Sequence, residues 1–401
     1  MQDFIFSLPT KLFFGPSQAQ AFAKELRKLG SRAYLITGGG TVKRLGYLDG
    51  LLECLKEEGI AVDEFSGIEP NPLSETVNRA AREAEGKNYD FVLAFGGGSV
   101  LDAAKAIAAL IAEDEQDIWE FVAGSPRQGK LTHALPLATV PTTAATASEI
   151  TPYAVISNKA VQGKSVLAYE FMKPAASWLN PLFTLGLNET VTQDGAADIL
   201  SHIFENYLLG GTDSPVADRV SEALFLTVLE TLPKLLKDLQ NKDHRAVLQW
   251  CATWALSGLQ SGGRKPSEFV LHSIEHSMSG YRHEIAHGRG LATLYPAYFR
   301  WLWQENRGRE RFIRLGQILF NSQSGGEKAG LDFIEQFERW LEVNGLLQSA
   351  ADLGLPQESF EPIAKYAVKV YGDGTKLNAL GPMTVADIVT VLEMTGSQRS
   401  S

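Results

Sequence analysis

Aspartate and histidine recur along this chain at spacings that suit metal ligation. Asp198 and His202 stand four residues apart, and so do His272 and His276. On a helix that spacing places both side chains of a pair on one face. His283 and His287 follow in the polar run Tyr281-Arg282-His283-Glu284-Ile285-Ala286-His287-Gly288, so five of the seven histidines lie on two segments. One carboxylate with several imidazoles suits a divalent transition metal, with Fe2+, Zn2+, Mn2+ and Co2+ all admissible. Three protein ligands would leave a position open for substrate, which catalysis needs and a structural site does not.

A second set of residues suits an anion. Gly96-Gly97-Gly98-Ser99 follows the apolar run Phe91-Val92-Leu93-Ala94-Phe95, and Gly38-Gly39-Gly40-Thr41 follows Arg32 to Thr37. Without Cβ atoms, backbone amides can approach a ligand, and a following helix N-terminus favours a phosphate. Neither triplet fits the G-x-G-x-x-G dinucleotide fingerprint. A third strand-to-loop junction runs from Thr139 through Thr142 and Thr143 to Ser148-Glu149. Its hydroxyls could bond a ribose or a carboxamide, or serve their own backbone as turns.

These residues need elements to hold them. Up to about residue 185, short apolar runs alternate with helical periods, the pattern of a parallel sheet wrapped by helices. Strands are expected at 32–37, 61–65, 91–95, 135–140, 153–157 and 175–179, with helices from about Ser74 and from Ser99 to about Ala112. Beyond 185 the β signals stop. Helical periods follow at about 192–209, 214–240, 243–261, 266–279, 288–304, 309–321, 327–344, 358–371 and 384–395. The expected plan is an α/β domain over 1–185 and an all-helical domain over 186–401, with a cleft between them for a ligand.

Composition narrows the partners. The chain has 401 residues and a net charge of −10, which argues against nucleic acid as the main partner. Two cysteines, Cys54 and Cys251, can build neither a disulfide framework nor a structural zinc site. No apolar run approaches the ~20 residues that span a bilayer, and no signal peptide is legible, so a cytoplasmic protein is expected.

In sequence order these motifs resemble those of the iron-containing (group III) alcohol dehydrogenases, particularly the butanol dehydrogenase and broad aldehyde reductase branch. The resemblance covers nearly the whole chain. It runs through Leu12-Phe13-Phe14-Gly15, Gly67-Ile68-Glu69-Pro70-Asn71-Pro72, Gly96-Gly97-Gly98-Ser99-Val100-Leu101-Asp102-Ala103-Ala104-Lys105 and Val140-Pro141-Thr142-Thr143. It ends with Asp198-x-x-x-His202, His272-x-x-x-His276 and His287-Gly288.

The resemblance implies a Rossmann-like dinucleotide-binding domain followed by a helical metal-binding domain, the plan shared with dehydroquinate synthase. It implies Asp198, His202, His272 and His287 as ligands of one divalent metal, Fe2+ or Zn2+, and His276 near the reacting centre. His283 stays an alternative to His287, because the loop holding both is about one residue longer than usual. Lys164 matches a lysine of the cofactor cleft. Gly97, Gly98, Ser99 and Asp102 would face the pyrophosphate and nicotinamide ribose, with Asn71, Thr139, Thr142 and Thr143 lining the remainder.

The implied reaction is hydride transfer between NAD(P)H and a short- to medium-chain aldehyde or primary alcohol. Polyol oxidation and a metal-dependent lyase are the alternatives, and a homodimer pairing near Thr10 to Phe14 is expected. NADP is favoured over NAD because Gly38, Gly39, Gly40 and Thr41 stand where an NAD-selecting acid would. Two departures from the family pattern are Ala145 and Ala147, which replace loop glycines. A third is Asn180, which replaces an aspartate.

Overall fold

The computed structural model describes residues 1–320, 322 and 324–396. Its first half contains eight strands: β1 (Lys11–Phe14), β2 (Arg32–Gly38), β3 (Ala61–Ile68), β4 (Phe91–Gly96), β5 (Leu137–Pro141), β6 (Tyr153–Asn158), β7 (Gly163–Ala168) and β8 (Ala176–Leu179). Six of them form one parallel sheet in the order β1-β8-β5-β4-β2-β3. β6 and β7 make a separate antiparallel pair, which places Lys164 opposite Ser157. The connecting helices are α1 (Ala19–Leu26), α2 (Thr41–Arg44), α3 (Tyr47–Glu57), α4 (Ser74–Glu83) and α5 (Gly98–Glu113).

The strands read as unbroken apolar runs because the sheet is covered on both faces. Alternate residues serve the two sides. Tyr34, Ile36, Val92 and Ala94 pack with Val77 of α4 and Ile107 of α5. Ala33, Leu35, Phe91 and Leu93 pack with Phe22 of α1 and Leu51 of α3. Stiff layers on each face fix the carboxyl ends of the strands, and those ends carry the glycine triplets.

The second half is helical: α6 (Glu189–Leu209), α7 (Pro215–Lys237), α8 (Lys242–Ala255), α9 (Val270–Tyr281), α10 (His287–Gln304), α11 (Arg309–Leu319), α12 (Glu327–Val343), α13 (Phe360–Tyr371) and α14 (Val385–Met394). Three details differ from the sequence reading. A small antiparallel hairpin, β9 (Lys376–Asn378) with β10 (Pro382–Thr384), follows α13. Strands this short carry no readable alternation. The helix expected over 243–261 stops at Ala255, ahead of Gly258 and Gly263 with φ of 90° and 71°. The helix expected from 266 begins at Val270.

By contact the described chain forms two compact units. One comprises residues 8–188 with 239–253, and the other comprises 1–7, 189–238 and the described residues from 254 to 396. Most of α8 groups with the sheet because Gln249 reaches the carbonyl of Pro141 and Thr253 Oγ1 donates to Glu149 at 2.6 Å. Among the described residues, no helix is long and apolar enough to cross a membrane.

Candidate active site

Asp198 and His202 sit on α6, a helix buried on nearly every side. Such a helix can carry polar groups only where they find partners. Its far side is anchored by Phe204, whose ring lies 4.4 Å from Phe225, 4.9 Å from Phe299 and 5.0 Å from Phe337. That aromatic packing fixes the rotation of α6 and therefore the direction of its polar face. His272 comes from the first turn of α9, and His287 is the first residue of α10.

Three imidazole nitrogens lie near one oxygen of Asp198. Oδ1 of Asp198 lies 3.4 Å from Nε2 of His202, 3.7 Å from Nε2 of His272 and 3.5 Å from Nε2 of His287. These separations are longer than ordinary hydrogen bonds. They match the ligand-to-ligand spacing around one ion: two atoms each about 2.1 Å from a tetrahedral metal stand about 3.4 Å apart. Oδ1 of Asp198 and Nε2 of His272 are buried and have no hydrogen-bond partner among the described residues. A buried polar atom left in that condition costs roughly 1–3 kcal/mol. A divalent cation would satisfy both atoms, so the residues fit the metal that the sequence implies.

Electrostatics follow the same geometry. Burial works to raise Asp198, but the surrounding imidazoles win and hold its carboxyl well below the usual range. Burial pushes His202 down to about 3, against the pull of Asp198. On His272 burial acts in the same sense, yet Glu205 and Asp198 overcome it and raise the imidazole to about 9.

Two carboxylates escaped the sequence reading. Nδ1 of His272 is bonded to Glu205, and Nδ1 of His287 to Glu275. Glu205 is 3% exposed and Glu275 is fully buried. Glu205 lies one turn beyond His202, and Glu275 stands between His272 and His276. An acid inside an otherwise apolar stretch was the available signal, because an unpaired carboxylate is rarely buried.

His287 rather than His283 approaches Asp198. Among the described residues Asp198, His202 and His272 form one potential metal-holding group, His287 forms another with Glu275 and His276, and His283 belongs to neither. His276 stands just beyond, its ring 5.1 Å from His287 and 5.6 Å from Tyr371. Phe269, whose ring is 5.3 Å from His272, and Tyr371 also line a cavity of about 730 Å³. Val270, Leu377 and Pro382 supply further apolar wall.

Several expected cofactor residues meet at the start of α5. The Asn71 amide donates to Oγ of Ser99 at 3.3 Å, and Lys164 donates to Oδ1 of Asn71 at 3.0 Å. The Thr142 amide donates to the carbonyl of Gly96 at 2.9 Å, beside Gly97 and Thr143. The fold itself requires two of these glycines: a Cβ on Gly96 would lie 2.5 Å from Val100, and one on Gly98 would lie 2.6 Å from Thr146. Asp102 has both oxygens engaged, one by Ser148 Oγ at 2.6 Å and one by the Val155 amide at 3.0 Å. Thr139 is not brought to this loop. It is fully buried within β5, and its hydroxyl pairs with that of Ser177 at 2.7 Å.

Gly38 ends β2, and Gly40 is left-handed with φ of 93° before Thr41 opens α2. A Cβ on Gly38 would meet the Ile68 carbonyl at 3.3 Å, whereas none lies within 4 Å at Gly39. Lys43 is paired with Glu64 at 2.7 Å, and Thr37 donates to the same carboxylate at 2.6 Å.

Comparison with known proteins agrees with this arrangement. Residues 9–181 match the iron-containing alcohol dehydrogenase family, and residues 192–395 match the C-terminal region of the Fe-containing alcohol dehydrogenase family. The chain is 36% identical to the probable NADH-dependent butanol dehydrogenase 2 of Bacillus subtilis, over 94% of this chain and 97% of that protein. It is 34% identical to the NADPH-dependent aldehyde reductase YqhD of Escherichia coli, over 91% and 92%. The crystal structure of NADH-dependent butanol dehydrogenase A from Thermotoga maritima superposes with a TM-score of 0.92 at 32% identity, over 98% and 99%. With the helical cluster, the glycine junctions and both halves matched, the chain belongs to the iron-containing alcohol dehydrogenase family.

Proposed function

We propose that this protein exchanges hydride between NAD(P)H and short- to medium-chain aldehydes or the matching primary alcohols. The convergence of three imidazole nitrogens on one oxygen of Asp198 carries this reading. Asp198, His202, His272 and His287 would hold one divalent metal, Fe2+ or Zn2+ in preference, with Mn2+ and Co2+ admissible. When bound, such an ion supplies Lewis acidity toward a substrate oxygen, and the nicotinamide supplies the hydride.

The chain's own groups do the rest. Phe269, Val270, Leu377 and Pro382 offer apolar wall to an alkyl chain and keep water from it. Glu268, Ser273, Asp373, Lys376 and Asn378 line the same cavity, so the preference for aldehydes over polyols rests on the likeness to the butanol dehydrogenases and the aldehyde reductase. The imidazole of His276 takes the proton of the alcohol hydroxyl, or returns it in the reductive direction. Asn71, Ser99 and Lys164 would hold the cofactor through its ribose and pyrophosphate, with Gly97, Gly98, Thr142 and Thr143 close behind.

NADPH is the proposed preferred cofactor, with NADH also used. Gly38 to Thr41 present no carboxylate to repel a 2′-phosphate. Glu64 bears on this choice, since it neutralises Lys43 and lies beside Thr37. The proposed assembly is a homodimer, because β1 forms an edge of the sheet. A monomeric mass by light scattering at micromolar concentration would contradict it.

The functional test is kcat/KM for a panel of linear aldehydes, primary alcohols and polyols, with each metal in turn. Butanal reduction with NADPH is expected to lead the panel. No aldehyde-dependent cofactor oxidation with any metal would refute the reading.

A further inference from the structure

Resting on that reading, we infer that Glu205 and Glu275 are positioning residues for the metal. They lock His272 and His287 with Nε2 facing the ion, and they add two buried negative charges that strengthen its retention.

Both grips have the same form and independent origins. Each carboxylate takes Nδ1 of one histidine, which leaves only Nε2 to point at Asp198. Glu205 reaches across from α6 to the start of α9, where it also accepts the Leu271 amide at 2.5 Å and the His272 amide at 3.3 Å. One side chain therefore caps the helix and orients the imidazole within it. Glu275 reaches from α9 to the first residue of α10, and Gly290 clears its path. A Cβ on Gly290 would stand 2.8 Å from Cγ of Glu275.

His202 lacks such a grip. Its Nδ1 is buried without a hydrogen-bond partner among the described residues. Its direction is set otherwise, by sharing α6 with Asp198 and by stacking on His272 at 4.9 Å and 13°. The two ligand-type histidines that come from other helices are the two that are gripped. The division fits the role of the carboxylates: Glu205 registers α9 against α6, and Glu275 registers α10 against α9. Counting Asp198, three carboxylates would face the two charges of a divalent ion, leaving a net negative site that resists loss of the cation.

The test measures the affinity of the metal-free protein for Co2+ alone, by competition with a chelator, together with the visible absorption of the bound ion. Glu275→Gln keeps an acceptor for Nδ1 but removes the charge, and is expected to bind about tenfold more weakly; Glu275→Ala should bind about a hundredfold more weakly. Glu205→Gln should fall with Glu275→Gln, and it avoids the loss of helix capping that alanine would cause. Gly290→Ala displaces the Glu275 carboxylate with no change of charge, and should weaken binding about tenfold while altering the Co2+ spectrum. Circular dichroism of each metal-free variant separates lost affinity from lost fold, because a purely structural role lowers stability without changing the affinity of the folded fraction. If all of these variants bind Co2+ within about twofold of the wild type, the inference is overturned. A wild type that takes up no Co2+ would contradict the functional reading as well, whereas variants equal to a competent wild type contradict the carboxylate grip alone.

Discussion

At the imidazole cluster, two of the ligand-type side chains are gripped by buried carboxylates and the other two ride on a helix fixed by aromatic packing. Glu205 grips His272, Glu275 grips His287, and the Phe204 aromatics fix the helix that carries Asp198 and His202. The loop after β5 is built differently. Ala147 is nearly fully buried there and adopts φ of 51°, a left-handed conformation that suits glycine. It is held by neighbours that bond one another, with Lys105 donating to Ser148 at 2.7 Å and Ser148 to Asp102 at 2.6 Å. The cluster leaves polar atoms open in a rigid frame, as cation binding requires. The loop spends its polar atoms on itself and keeps its shape despite a strained residue. In one region buried polar atoms converge without hydrogen-bond partners among the described residues, and in the other Lys105, Ser148 and Asp102 satisfy one another.

The comparison breaks most visibly at the cluster. His272→Ala should abolish metal uptake and reduce turnover to background, measured by elemental analysis beside the butanal assay. In the paired variants, His287→Ala should lose metal and His283→Ala should keep it, since only His287 approaches Asp198. Equal retention by both would dissolve the assigned cluster.

A smaller effect is expected at Lys164, whose ammonium reaches Asn71 at 3.0 Å. Lys164→Met should weaken cofactor binding by about 10- to 100-fold, the worth of one charged hydrogen bond, with metal content unchanged. Fluorescence titration with NADPH measures it. A variant with wild-type affinity would remove Lys164 from the cofactor site.

Cofactor choice is sharpened at Gly39 rather than Gly38, because only Gly39 has open space for a side chain. Gly39→Asp should move the kcat/KM ratio about tenfold toward NADH, the effect of placing a carboxylate near the 2′-phosphate. A ratio that stays put would mean that Glu64 or another group sets the preference.

Lys105 gives a pH-dependent test of the loop's internal network. Burial lowers this lysine from its ordinary 10.5 to about 8, against the opposing pull of Asp102 and Glu149. Between those values the unfolded chain holds more protons at this site than the folded chain does. Its contribution to stability therefore rises with pH across that window. Denaturant titrations of wild type and Lys105→Met from pH 7 to above 10 should show the wild type gaining relative to the variant. Parallel curves would show that the lysine is not perturbed.

Ala147→Gly should do least. Relief of the left-handed backbone is worth about 1–2 kcal/mol, while the lost methyl burial costs about 0.8 and the freer unfolded chain about 0.5–1 kcal/mol. The net change in unfolding free energy should stay within about 1 kcal/mol, and a larger loss would show that the methyl packs better than its conformation suggests.

Much of this architecture was legible beforehand. The sheet strands announced themselves as unbroken apolar runs, and Asp198, His202, His272 and His276 stood out by spacing alone. The family pattern selected His287 over His283 through the glycine after it; Gly288 permits close packing, since a Cβ there would strike the Asp194 carbonyl. What stayed hidden depends on distant partners. The start of α9 is set by Glu205, 66 residues earlier in the chain, so no local signal marks it. Glu205 and Glu275 stand among apolar neighbours that hint at burial, but which histidine each one grips is set only by the fold. Thr139 reads as a loop hydroxyl, and only its pairing with Ser177 shows that it is spent inside the sheet.

The central claim is that the cluster of Asp198, His202, His272 and His287 holds the ion on which turnover depends. The most direct measurement is stepwise return of Fe2+ to chelator-stripped protein, with NADPH oxidation by butanal followed at each addition and His272→Ala run alongside. The account predicts activity that rises from background in proportion to bound metal and saturates at one ion per chain, while His272→Ala neither binds nor turns over. Full activity in the stripped wild type, or stoichiometric binding with normal turnover in His272→Ala, would contradict it.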